Sequence, residues 1–225
     1  PTLTSCLWHP SAAGLRRPAK VSPDLLCLWT PSLAILKIAR LGHPILRRVA
    51  DPVDPEEVRS PRIQRLIQDL LDTVDEADGA GLAAPQVHAS LRVVVLQLDP
   101  EVGMEVWINP ELTPGSDDEV LTFEGCLSVP GLRGLVARPD QVHVRALDQN
   151  GVPFERQLEG FPAVVAQHEC DHLDGVLYVD KVEPKTLTFV EEHRRYGRLL
   201  WGPAPDDETS ESAGTSEDDT SGASD

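Results

Sequence analysis

The sequence predicts an α+β domain: small antiparallel or mixed sheets packed around a central helix, with a second helix completing the core. Three observations predict it. Apolar residues recur at three and four positions between Pro55 and Gly79, short β-type segments and a hairpin fill the stretch from Arg92 to Leu158, and "GFPAVVAQHECDHLDG" follows at 160–175 with two histidines on one helical face.

Residues 1–35 carry scattered Trp, Pro, Ser and Arg, no periodicity and a single acid, Asp24. They read as an unstructured leader or a non-native extension, and their acid-poor character also suits an organellar transit peptide. The domain is expected at 36–200. "ILKIARLGHPILRRVADPVDP" is its apolar lead-in. In "PEEVRSPRIQRLIQDLLDTVDEADG", Ile63, Leu66, Ile67, Leu70, Leu71 and Val74 form one stripe, so this helix packs the core, and Gly79 stops it. "RVVVLQL" reads as a buried strand, "EVWIN" and "EVLTF" as shorter ones. "QVHVRALDQNGVPFERQL" reads as a hairpin closed by a tight primed turn at Asn150-Gly151, with Val142, Val144 and Ala146 on one face and His143 on the other. After the second helix come a short strand, "VLYVD", and a final helix from about Leu187 to Arg198. Residues 201–225 form an acidic, low-complexity tail expected to be disordered.

Composition narrows the function. The formal charge is −17, of which the segment from Pro205 to Asp225 supplies eight acids and no Lys or Arg, leaving −9 for the remainder. An acidic body without a basic stripe argues against direct nucleic-acid binding. No apolar run is long enough to span a membrane. Four cysteines, Cys6, Cys27, Cys126 and Cys170, make no disulfide framework in a chain of 225 residues, so a reducing compartment is expected.

His168 and His172 lie about 40° apart on a helix, one turn above the other, and can grip one ion. Glu169 flanks them and is placed to exchange a proton with water there, whereas Cys170 faces elsewhere. A third ligand is needed. A metzincin protease would have histidine where Tyr178 stands. A glutamate from a later helix could only be Glu191 or Glu192, with too little chain beyond for the usual helical domain. Cys126, after a strand, completes a Cys/His/His set that leaves the fourth tetrahedral position open, which is catalytic in form. Phe161, Val164 and Val165 build an apolar wall beside it.

Three segments stand in order: "GAGLAAPQ" at 79–86, "EGCLS" at 124–128 and "QHECDHLDG" at 167–175. With them, the sequence from about 36 to 185 resembles the peptide deformylases. The resemblance implies the deformylase fold and removal, with release of formate, of the N-formyl group from the initiator methionine of nascent polypeptides, near the ribosome. It implies one metal ion per chain held by Cys126, His168 and His172, Fe²⁺ with Zn²⁺, Ni²⁺ or Co²⁺ as substitutes. It makes Glu169 the general base, and Gln86 and the Leu127 N–H the donors to the oxyanion. Gly81, through a positive-φ turn or a close approach to substrate, and Arg133, Phe161, Val164 and Val165 would meet the peptide. Glu124, Gln167 and Asp171 would orient the ligands. A bacterial cytoplasm is expected, with a mitochondrion or plastid as the alternative. Two other functions fit parts of the pattern: a zincin-type peptidase, against which Tyr178 speaks, and a non-catalytic metal-binding module, which would not need Glu169 and Gln86.

Overall fold

The computed structural model describes residues 34–201. The expectations for the leader and the acidic tail fall almost wholly outside the described residues.

Helix α1 spans Pro61–Glu76. Its start is later than the charged run from Pro55 suggested, because Pro61 pushes Ser60 into extended geometry and the Ser60 side chain caps the N–H of Ile63. Pro55–Glu57 is instead a separate 3-10 turn capped by Asp54. Strands β1 (Gly81–Ala83), β2 (Val93–Asp99) and β3 (Gly103–Pro114) follow, then β4 (Glu119–Cys126), β5 (Val129–Pro139), β6 (Gln141–Leu147) and β7 (Pro153–Glu159). Helix α2 is Phe161–Leu173, and β8 (Thr188–Phe189) leads into helix α3, Val190–Trp201.

The strands make two antiparallel sheets, one ordered β1-β2-β3-β6-β7 and one β4-β5-β8. The larger sheet is covered on both faces. Val93 and Val95 of β2 point to α1, where Ile63, Ile67, Leu70 and Val74 are buried; Val94 and Leu96 point to α2, beside Ala163, Val165, Ala166 and Leu173. This two-sided burial is why β2 is apolar without alternation. In β6 the expected alternation holds, with Val142, Val144 and Ala146 buried and His143 exposed.

Several local expectations are corrected. "EVWIN" belongs to a twelve-residue strand. Its Asn109-Pro110 resembles a turn in sequence, but Asn109 takes φ +52° and its amide bonds both the N–H and the C=O of Val53, so the strand bulges and continues. The β6–β7 loop is not a two-residue primed turn. Among the described residues Asn150 is not at positive φ; Gly151 is, at +77°, following a turn in which its N–H bonds Asp148 O. "VLYVD" is no strand: Tyr178–Asp180 form a 3-10 turn, closed by Asp180 accepting the Leu177 N–H at 2.8 Å. Thr188–Phe189 pair with Arg133 and Leu132 before α3 begins, which moves that helix start from Leu187 to Val190.

Candidate active site and metal centre

Two structural units converge. Strand β4 ends at Cys126, which pairs with Val129 across the Leu127-Ser128 turn, and α2 presents His168 and His172 from below the sheet junction. The lead-in stitches the junction: Ala39 N–H bonds Gln86 O at 2.7 Å, Leu41 N–H bonds Ser128 O at 2.8 Å, and Ala50 N–H bonds Leu173 O at 2.7 Å.

The ligand atoms of Cys126, His168 and His172 lie within 4.8 Å of one another, and Cys126 Sγ is 3.3 Å from His172 Nε2. Tetrahedral ligation by one sulfur and two imidazoles requires donor separations of ~3.4–3.6 Å, so this donor set fits a transition-metal ion after small side-chain adjustments. His168 Nδ1 is 2.7 Å from Glu124 Oε2, which it meets as the N–H donor, leaving Nε2 for the cluster.

Glu124 is itself locked. Arg138, 1% exposed, grips both its oxygens, with Nη2 at 2.9 Å, and reaches Asp171 Oδ2 at 2.9 Å; Lys181 bonds the other Asp171 oxygen at 2.8 Å. Burial would raise the Glu124 carboxyl, but the Arg138 and His168 hydrogen bonds outweigh it and hold it at about 2. In the ion-free protein burial opposes charge on His168, yet hydrogen bonds to Cys126 and Glu124 carry it up to about 10. Burial, aided by the charge on His168, drives His172 well down, so it offers a neutral imidazole. A cation held here would therefore compete with a proton for His168.

Glu169 is 5% exposed, and burial raises its carboxyl to about 7 against the attraction of His168. Its Oε2 is buried without a hydrogen-bond partner. A Cβ on Gly81 would sit 2.6 Å from its Oε1. The positive-φ reading of Gly81 is corrected, since its φ is not positive; within the fold the close approach it permits is to Glu169, and Gly81 also lines the cavity beside the site. Gln86, 1% exposed, uses its two ends separately. Its Oε1 accepts the Ala83 N–H at 2.8 Å, while Nε2 points at Ser128 Oγ (3.1 Å) and Cys126 Sγ (3.6 Å).

A cavity of about 680 Å³ opens beside these groups, lined by Gly81, Gln86, Cys126, Leu127, His168 and Glu169 and, further along, by Arg133, Phe161, Val164 and Val165. Phe161 is 61% exposed at the start of α2, and Val165 also packs into the sheet core. Arg133 donates to Phe123 O at 2.9 Å, its guanidinium 5.4 Å from that ring's centre. One expectation fails in detail: Gln167 touches no ligand but donates to Pro139 O (2.9 Å) and Ala163 O (3.0 Å), tying α2 to the end of β5. Asp171 reaches His168 only through Arg138 and Glu124. Sequence reasoning missed Arg138, Ser128 and Tyr178. Arg138 carried a signal, since it shares β5 parity with buried Val136, and a charge at a core parity needs a partner. Tyr178, buried and stacked 6.2 Å from the His168 ring, carried none.

The sequence model of the family described as polypeptide deformylase matches residues 35–187. The chain belongs to the polypeptide deformylase family. Its activity is the family's, metal-dependent hydrolysis of the N-formyl group from the start of a new polypeptide. A peptide deformylase of Leptospira biflexa is 40% identical over 178 residues, 75% of this chain and 99% of the relative. Among solved structures, a Met-Ala-Ser-bound class I type b peptide deformylase of Acinetobacter baumannii is 38% identical with a TM-score of 0.62, over 66% of this chain and 99% of the other. A peptide deformylase of Legionella pneumophila is 41% identical with a TM-score of 0.63, over 74% of this chain and 97% of the other. No helix among the described residues is long and apolar enough to cross a membrane.

Proposed function

We propose that the enzyme holds one ferrous ion through Cys126, His168 and His172 and deformylates nascent chains as they leave the ribosome. Zinc, nickel and cobalt suit the same thiolate-imidazole set, and intrinsic affinity favours zinc, so the choice of iron follows from the family resemblance. When bound, such an ion would supply Lewis acidity and would lower the pKa of water beside it.

The chain's own residues do the rest. Glu169 takes a proton from water and delivers it to the leaving amine. Attack on the formyl carbon places negative charge on its oxygen, towards which Gln86 Nε2 and the Leu127 N–H donate; one such donor is worth ~3 kcal/mol in the transition state. Oε1 of Gln86 is fixed by Ala83, so Nε2 is aimed before substrate arrives. Glu124 keeps His168 in one tautomer, and Arg138 and Asp171 keep Glu124 in place. The Met-Ala-Ser-bound relative supports a peptide running along the cavity, its methionine against Val164 and Val165.

The observation that carries this reading is the buried Glu169 carboxyl, without a partner on one oxygen, beside three converging metal donors. Formate release from formyl-Met-Ala-Ser, assayed anaerobically alongside metal analysis, tests it. Glu169→Gln is expected to keep its metal and lose ~10²–10⁴-fold in turnover. Full turnover by that variant would exclude the role given to Glu169.

A further inference from the structure

One wall of the cavity is built from β4, β5 and α3, and two cations line it. Arg133 of β5 and Arg194 of α3 both line it, with Val190, one turn before Arg194 on the same helix face. Phe123 links β5 to α3 on this wall. Its carbonyl accepts from Arg133, and its ring carries His193 of α3 at 4.3 Å and Trp201 at 5.1 Å.

Neither arginine has a carboxylate partner among the described residues, although the neighbouring Arg195 pairs with Glu192 at 3.2 Å. Asp78 lines the same cavity and pairs with neither. Buried Arg133 Nε and Thr122 Oγ1, both from residues of this wall, also lack hydrogen-bond partners. Burial, with the charge of Arg194 next, lowers the Arg133 guanidinium's affinity for its proton. Two mutually repelling cations and two unpaired polar atoms, in a chain of net charge −17, mark a place for an anionic group.

We propose that Arg133 and Arg194 form a carboxylate-selective subsite that favours formylated peptides with aspartate or glutamate shortly after the methionine. This rests on the peptide path given above. Arg194 is the specificity-determining residue; Arg133 also supports the wall through Phe123.

The test uses C-terminally amidated formyl-Met peptides with Asp, Ser or Lys at each of the next three positions, and measures kcat/KM by formate release. At low ionic strength the wild type is expected to favour Asp over Ser by ~3–10-fold at one or more positions, with Lys lowest, and the spread is expected to shrink in about 0.5 M salt. Arg194→Gln, an exposed helix position where glutamine is well tolerated, is expected to bring the Asp/Ser ratio close to one, and Arg194→Lys to keep most of it. A wild-type ratio near one at every position overturns the proposal, as does an unchanged ratio in Arg194→Gln. Absence of turnover on every peptide would instead overturn the catalytic assignment beneath it.

Discussion

Glu124 and Gly81 show how single residues set the site without touching the reacting atoms. Glu124 is charged in the interior only because Arg138 and His168 hold it. Its carboxyl is lower in the folded than in the unfolded chain, so its stabilisation is fully present above pH ~4.5 and is lost as pH falls towards about 2. Glu124→Gln, which leaves the buried Arg138 guanidinium with Asp171 as its carboxylate partner among the described residues, is expected to cost ~1–3 kcal/mol, to remove that acid-titrating part of the stability curve, and to weaken metal binding ~10–100-fold. Urea melts from pH 2 to 7 with metal titrations check this; a melt and an affinity like those of the wild type would refute the network. Gly81→Ala forces the Glu169 carboxylate to move, because the new Cβ would stand 2.6 Å from it. Turnover should fall ~10²-fold with metal content kept, as measured by kcat beside metal analysis. The motif glycine was readable in the sequence. Its reason was not, because the atom it makes room for lies 88 residues further along the chain.

At the level of elements, β2, α1, α2 and the β6–β7 hairpin were legible because periodicity reports burial by one neighbour or two. The failures share a cause: side chains from distant segments override local signals. Asn109-Pro110 reads as a stop until Val53 pairs with the asparagine, and "VLYVD" reads as a strand until Asp180 turns it back. The hairpin tip offers a direct check. Gly151 alone carries the left-handed conformation there, so Gly151→Ala should cost ~1–2 kcal/mol while Asn150→Ala stays within ~0.5 kcal/mol. Equal losses in thermal melts would restore a primed turn with both residues at positive φ.

For the whole molecule, an ion held as proposed would be a structural tie as well as a reagent. Its donors come from the β4–β5 hairpin and from α2, which otherwise packs on the other sheet. Anaerobic chelation should abolish deformylation and lower Tm, and ferrous or nickel ion should restore both. Apparent metal affinity should rise with pH through the neutral range, since the ion must displace the proton that His168 holds up to about 10 in its absence. Competition titrations at pH 6, 7 and 8 check the sign, and a flat profile would count against it.

By itself, the sequence determined the donor types, the helical pairing of His168 with His172, the carboxyl between them, and the family. These are local or motif-borne properties, set by a few residues and the pitch of one helix. Only the tertiary structure decided that Cys126 reaches those imidazoles, that Arg138 makes a buried Glu124 tolerable, and that Arg133 and Arg194 face one cavity. Each of these depends on strands and helices far apart in the chain meeting in space, and no periodicity in a single segment encodes that meeting.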